Sequence, residues 1–368
     1  MKKISFVLLI SLVGLFACQP KSEKVENKGM VIAHRGSTFW TPDETEPAYR
    51  WARNIGADYL ECDVQLTKDS VLVAFHDSNL SRTSNIAEVF PSRIKSVIND
   101  FTLTELRSLD VGSWFNSAHP ERAKDGFINL KILSLEDVVM IAEGYRIKMI
   151  DAKPELEIID GQLTGRYLYE KDPDDNGNRP GIYIETKNPK LSVERILAEK
   201  IKELGWNIKE GKKEIKTQAG KVSVANTDSR IILQSFSRKS IQQLEHYMPG
   251  IPKCLLLSYS RMKDDIPANY KEAISFAVAH NVAFLGPSIS NEPNINRREL
   301  IAPWMAELIH DSGLKIHPYT FNTEEQFNEY ADRVDGVFTN KADLALEFYN
   351  RKSETSAQDC LRNLGYYR

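Results

Sequence analysis

Tyr59-Leu-Glu-Cys-Asp-Val-Gln-Leu-Thr-Lys-Asp-Ser-Val-Leu-Val-Ala-Phe-His76 is the stretch on which the fold turns. It holds two strand-like runs, Tyr59–Val64 and Val71–His76, joined by the short link Leu66 to Ser70. A parallel crossover needs about a dozen residues or more. The second run must therefore fold back on the first as the arm of a β-hairpin. Seven other runs read as strands: Val31–His34, Ile182–Thr186, Ile231–Ser235, Cys254–Leu257, Val282–Leu285, Lys315–Tyr319 and Gly336–Thr339. Helical periodicity lies between most of them, clearest at Val193 to Leu204, with Ser192 as its expected cap and Gly205 as its stop. Strand alternating with helix over this length means a parallel sheet. With the arm set aside, eight strands remain, and the expected fold is an α/β (β/α)8 TIM barrel with a β-hairpin arm. A doubly wound open sheet is the alternative, but no G-x-G occurs anywhere in the chain.

Outward from that core, residues 29–350 are expected to form the barrel, with a long insertion at about 77–181 before the third barrel strand and a C-terminal tail at 351–368. Within the insertion a helix is expected near Ser134 to Gly144, and Ala152 to Gly181 is polar and turn-rich. The chain has 368 residues, 42% hydrophobic and 27% charged, which excludes an intrinsically disordered, collagenous or multi-span membrane protein. The net charge of -3 offers no bulk attraction to nucleic acid, and no protein partner is evident. Four cysteines are too few for a disulfide scaffold.

The amino terminus reads as a targeting segment. Lys2 and Lys3 precede an uncharged run from Ile4 to Ala17, too short to span a bilayer as a mature helix. Leu15-Phe16-Ala17-Cys18 resembles a bacterial lipobox, although Phe16 is not the favoured residue at its place. The expectation is a signal peptide at 1–17, lipidation of Cys18, and a flexible tether to residue 28. Gln19 carries no Asp-type retention signal, which points to an outer-membrane lipoprotein facing periplasm or cell surface.

The strand ends carry the chemistry. The first ends His34-Arg35-Gly36, the second holds Glu61-Cys62-Asp63, the arm ends His76-Asp77, and the third barrel strand holds Glu185-Thr186-Lys187. Residues two apart on a strand share a face, so Glu61 and Asp63 point together with Cys62 opposed, and Glu185 points with Lys187. In this fold the carboxyl ends of the strands form the active face. Three carboxylates without Cys or His in ligand spacing suit one hard divalent cation, Ca2+ or Mg2+, and disfavour zinc. His34 and His76 suit general acid–base work. Arg35 and Lys187 suit phosphate. His317 falls within a strand and reads as a hydrogen-bonded core residue. Asp172-Pro-Asp-Asp-Asn-Gly177 matches the start of a calcium loop, but its twelfth position is Tyr183, so it reads as a turn.

Together these residues carry a resemblance. The motifs Val31-Ile-Ala-His-Arg-Gly36, Pro42-Asp-Glu-Thr45, Gly56-Ala-Asp-Tyr-Leu-Glu-Cys-Asp-Val64, Leu66-Thr-Lys-Asp69 and His76-Asp77 resemble the glycerophosphodiester phosphodiesterase family. Ile184-Glu-Thr-Lys-Asn-Pro189, Gln234-Ser-Phe-Ser237, His317-Pro-Tyr-Thr320 and Asp335-Gly-Val-Phe-Thr339 continue the match. The length of the insertion looks closer to the exported bacterial branch. The resemblance implies hydrolysis of a small-molecule glycerophosphodiester to glycerol 3-phosphate and an alcohol. It implies a divalent metal at Glu61, Asp63 and Glu185, acid–base roles for His34 and His76, and phosphate contacts from Arg35 and Lys187. Two positions depart from the family pattern: Asp43 stands where Glu is usual, and Asn340 where Asp is usual. Neither is expected to touch the acid–base pair or the metal ligands. The rival readings are a phospholipase-type enzyme acting on intact lipids, for which Trp114-Phe115 is the available apolar rim, and an inactive phosphoester-binding surface lipoprotein.

Overall fold

The computed structural model describes residues 29–151, 153–188, 193–206, 214–217, 220–223, 230–289 and 300–367. The expected signal, Cys18 and tether, and the expected cap Ser192, lie outside the described residues. Eight parallel strands follow one another around a barrel: β1 (Met30–Ala33), β2 (Tyr59–Leu66), β3 (Gly181–Thr186), β4 (Ile231–Ser235), β5 (Lys253–Leu257), β6 (Phe284–Pro287), β7 (Lys315–Ile316) and β8 (Gly336–Thr339). β8 pairs with β1 from Met30↔Gly336 to Ala33↔Thr339. Between β7 and β8 the circle is closed by hydrogen bonds from Asp335 N to Ile316 O (2.9 Å), Phe338 N to Pro318 O (3.0 Å) and Phe321 N to Phe338 O (2.8 Å). Leu72–Ala74 runs antiparallel on β2, in register from Val64↔Ala74 to Leu66↔Leu72, and is the arm expected from the short link. β6 begins two residues later than expected. Val282 N is still bonded back to Ala277 O (2.9 Å), and Asn281 turns with φ 52°, so the chain is free to extend only from Phe284.

Each strand is followed by a helix: α1 (Glu46–Ile55), α2 (Leu135–Ala142), α3 (Val193–Glu203), α4 (Arg238–Tyr247), α5 (Ile266–Ala279), α6 (Pro303–Asp311), α7 (Glu324–Tyr330) and α8 (Ala342–Phe348). α2 is the helix expected near Ser134. Ser134 and Asp137 cap it reciprocally, and it packs beside α1 in the second helical place of the barrel. The stretch 77–181 thus holds two excursions around a barrel helix. The later excursion carries three small antiparallel pairs, Tyr145–Ile147 with Tyr169–Lys171, Met149–Ile150 with Lys153–Pro154, and Leu156–Ile159 with Gln162–Tyr167. Ile147 and Tyr167 are buried, but at the tip of the last pair Ile158, Ile159 and Leu163 are exposed, so no buried face there imposes the alternation by which strands are read.

The strand alternation sorts the core into two layers. Val31, Ala33, Leu60, Cys62 and Val64 face outward into the helices. Ile32, Tyr59, Tyr183, Ile232, Cys254 and Phe338 face the barrel axis. Gly181 sits opposite Tyr59, where a Cβ would lie 2.4 Å from the tyrosine ring, so the inward ring requires glycine there. His317 belongs to this interior, buried, stacked on Phe284 at 4.0 Å and with Nδ1 3.1 Å from Tyr183 Oη, as the sequence reading of a core histidine expects.

Two further packings lock the outer layer. Asp172 accepts from Arg50 Nε and Nη2, each at 2.7 Å, and from Arg53 Nη2 at 2.6 Å. Asp175 is held by Arg179, at 2.9 and 2.7 Å. The carboxylates of this loop clamp the insertion to α1, in keeping with a turn rather than a calcium loop. After Asn350, the stretch read as a tail carries α9 (Ala357–Asn363), which docks on α1 through Trp51 Nε1 donating to Ala357 O (3.0 Å) and Arg50 Nη1 donating to Tyr366 Oη (2.9 Å). Among the described residues no helix is long and apolar enough to cross a membrane.

Candidate active site

The inward positions of β2 change character along the strand, from Tyr59 to Glu61 to Asp63. The sheet register then decides who meets whom. Asp63 lies level with Glu185 on β3, and Glu185 level with Gln234 on β4, all with the inward parity of Tyr59, Tyr183 and Ile232. One oxygen each from Glu61, Asp63 and Glu185 falls within 4.8 Å of the others, and all three residues are buried. Glu61 Oε1 accepts from Gln234 Nε2 at 3.1 Å and its Oε2 from Arg35 N at 2.7 Å. That amide is aimed by a tight turn after β1, in which Arg35, Gly36 and Ser37 have φ of 50°, 83° and 73°. Two non-glycine residues in the left-handed region are the strain this aim costs.

Asp63 has no hydrogen-bond partner on either carboxylate oxygen, only the ion pairs Arg35 Nε at 3.4 Å and Lys187 Nζ at 3.3 Å. Lys187 also reaches Glu185 at 2.9 Å, and Arg35 reaches Asp43 at 3.4 Å. A buried carboxylate with both oxygens unclaimed, beside two more, is a donor set for a hard cation.

The charges confirm the crowding. Burial and then Asp63 push the Glu185 carboxyl up to about 7, and burial with Asp63 pushes Glu61 well up. Burial works against ionisation of Asp63 too, but Lys187 and Arg35 more than offset it and hold Asp63 well below the usual carboxylate range. Glu44 joins from the loop before α1, its Oε1 accepting from Asp63 N at 2.7 Å. A carboxyl with a raised folded pKa stabilises the fold below its unfolded value and loses that contribution as pH rises through the folded one. Metal-free protein is therefore expected to lose thermal stability as pH climbs from Glu185's ordinary 4.5 through about 7. Mg2+ or Ca2+ should raise Tm more at pH 8 than at pH 5, since protons compete for the same oxygens. Melts at the two pH values with and without cation check this; a cation-induced shift independent of pH would contradict it.

Both expected histidines line the same cavity as Glu61, Glu185, Arg35 and Lys187, a space of about 330 Å³. Their partners differ. His34 Nδ1 lies 2.7 Å from Asn340 Oδ1, an acceptor only, so Nδ1 carries the proton and Nε2 the lone pair. Burial and then Arg35 bring the His34 imidazole down to about 3, so it is neutral. His76 Nδ1 lies 2.7 Å from Asp77 Oδ1, and Asp77 is itself held by Arg82 at 2.6 Å. Burial, with Arg35 and Lys187, lowers His76 too, but less far than His34, because Asp63 and the Asp77 hydrogen bond oppose the fall.

All seven expected site residues within the described chain meet at this mouth. One expectation is corrected at position 340, whose side chain does touch the acid–base pair, while the partners of Asp43 are neither the histidines nor the expected metal ligands. Asn340 orients His34, because closure of the barrel sets β8 beside β1; Asp43 pairs with Arg35 and with Arg82, at 3.2 Å for the latter. Gln234, Asp77, Arg82 and Glu44 were given no role by the sequence. Gln234 was within reach, since it ends a strand with inward parity. Phe115 is buried, and Trp114 donates to Val111 O and lies under Arg82, so this pair forms no exposed apolar rim.

Fold and site define a (β/α)8 barrel whose carboxyl mouth combines an acidic metal-type cluster, two cations and two histidines. The profile of the Glycerophosphoryl diester phosphodiesterase family matches residues 34–174 and 177–344, and the chain belongs to that family. It is 30% identical over 323 residues to the glycerophosphodiester phosphodiesterase of Bacillus subtilis (strain 168), covering 86% of this chain and 84% of that one. In fold it is similar to the crystal structure of glycerophosphodiester phosphodiesterase from Agrobacterium tumefaciens str. C58, with TM-score 0.53, 20% identity, and 87% and 99% of the two chains covered. It is also similar to an Oleispira antarctica phosphodiesterase in complex with the product sn-glycerol-3-phosphate, with TM-score 0.54, 19% identity, and 86% and 96% covered.

Proposed function

We propose that this protein hydrolyses glycerophosphodiesters to sn-glycerol 3-phosphate and an alcohol. The observation that carries the reading is the convergence on one cavity of two differently partnered imidazoles and of Glu61 and Glu185, which cluster with Asp63. Family membership, the named activity of the Bacillus relative, and the product bound by the Oleispira neighbour all support it.

Glu61, Asp63 and Glu185 would hold one Mg2+ or Ca2+, which supplies positive charge against the phosphate oxygens. Arg35 and Lys187 then exchange carboxylate contacts for phosphate contacts, Arg35 as a fork and Lys187 as a point charge. His34, neutral with a free Nε2 lone pair, takes the proton of the attacking hydroxyl. That hydroxyl is water or the substrate's own 2-hydroxyl, and trapping a cyclic phosphate separates the two. His76, whose carboxylate partner supports imidazolium, gives a proton to the departing alcohol. The test is incubation with glycerophosphocholine, glycerophosphoethanolamine and glycerophosphoglycerol in Mg2+ or Ca2+. Release of sn-glycerol 3-phosphate is expected; no product from any of the three would overturn the reading.

Lipidation at Cys18 would hold this enzyme at an exported membrane surface, supported by the charge and length pattern of residues 1–18. Wild-type protein is expected in the membrane fraction, and Cys18→Ala in the soluble fraction or as uncleaved precursor. A mature wild-type protein found wholly soluble would contradict the anchor.

A further inference from the structure

Beside the catalytic cavity lies a second, larger cleft of about 690 Å³, over β3, β4 and β5. The two share Glu185, Lys187, Phe236 and Leu256, so the cleft opens from the reacting centre rather than from a separate face. Of its cations, Lys187 is bound to Asp63 and Glu185, and Arg238 is bound to Glu272 at 2.5 Å. Arg261 differs. It stands on the short helix Tyr259–Met262 directly after β5, at the carboxyl mouth, and is exposed. Its Nη1 donates to Phe236 O and its guanidinium lies 5.8 Å from the Phe236 ring, which fix it against the cleft wall. Among the described residues no carboxylate pairs with it, so at the cleft lining its charge is not offset by an ion pair.

We propose that this cleft receives the alcohol half of the diester and that Arg261 selects alcohols bearing an anionic group over those bearing a quaternary ammonium. The inference rests on the phosphodiesterase reading and adds a substrate class to it. Ser235, Ser237 and Asn269 line the same cleft and suit a hydroxyl-bearing chain. The carboxylates of the lining, Glu185 and Glu272, are already paired with Lys187 and Arg238, so a choline group there meets the Arg261 guanidinium without an unpaired carboxylate to offset it, and Arg261 already lies beside the Phe236 ring that would attract it.

The experiment compares kcat/KM for glycerophosphocholine, glycerophosphoglycerol and the terminal phosphate monoester of glycerophosphoglycerol. Wild-type enzyme is expected to favour the phosphate-bearing diester over the choline diester. Arg261→Gln should shrink that ratio by roughly 10–100-fold, the worth of one charge-assisted contact. Arg261→Lys should restore part of it, and Lys263→Gln, outside the cleft, should leave the ratio unchanged. A wild-type preference for choline, or an Arg261→Gln loss equal on all three diesters, would overturn the inference while leaving the activity standing. Wild-type inactivity on all three would instead overturn the phosphodiesterase reading, and the inference with it.

Discussion

His34→Ala and His76→Ala are each expected to lower kcat on an unactivated diester by roughly 10²–10⁴-fold, the usual contribution of one general acid or base. The combined loss in the double variant should be smaller than the product of the two, because the imidazoles act on one displacement. Their different partners make the prediction directional. An activated substrate with a low-pKa leaving group needs no proton on departure, so it should rescue His76→Ala and leave His34→Ala impaired. Asn340→Ala frees the Nδ1 proton of His34 from its acceptor and should behave as a weaker His34 variant on both substrates. Equal rescue of both histidine variants, or losses of only a few-fold, would show the assignment to be wrong. His317→Ala should affect stability more than kcat, since its ring is buried against Phe284 away from the mouth.

The second large effect is on stability. Asp172 is buried between Arg50 and Arg53, with side chains 0–4% exposed. Removing one partner of such a group leaves charges buried without compensation, at a cost of about 3–5 kcal/mol. Asp172→Ala should lower the urea midpoint accordingly, with little change in the m-value. Burial pushes the Asp172 carboxyl up, but its hydrogen bond and charge interaction with Arg50, then Arg53, bring it below its ordinary value. A depressed carboxyl stabilises above its unfolded pKa and loses that contribution as pH falls through the folded one. The gap between wild type and variant should therefore narrow in acid. A variant within 1 kcal/mol of wild type at neutral pH, a threshold of about one ordinary hydrogen bond, would mean that the clamp contributes little.

The site was legible in the sequence to the extent that it depends on local geometry. Alternation alone places Glu61 with Asp63 and turns Cys62 away, and the short link makes the arm a hairpin; both follow from spacing within one strand pair. What the sequence could not supply was stagger and closure. That Asp63, Glu185 and Gln234 stand level depends on register between three strands far apart in the chain. That Asn340 orients His34 depends on β8 closing against β1, 306 residues away, and this is why position 340 read as remote from the chemistry. The hairpins at 145–171 escaped for another reason: Ile147 and Tyr167 are buried, but Met149, Ile150, Ile158, Ile159 and Leu163 are exposed, so the alternation that marks a strand is broken. The Asp172 clamp shows the reverse error avoided, since acidic spacing alone suggested a cation where the fold supplies two arginines.

Diester cleavage at the Glu61–Asp63–Glu185 mouth is tested most directly by one titration. Chelator-stripped protein is supplied with Mg2+ or Ca2+ while release of sn-glycerol 3-phosphate from glycerophosphoglycerol is followed, with Asp63→Asn in parallel. The expected result is no release before cation, a saturable return of activity with it, and a flat line for Asp63→Asn across the same range. Release at the full rate from stripped protein, or an Asp63→Asn enzyme that responds as wild type does, would contradict it.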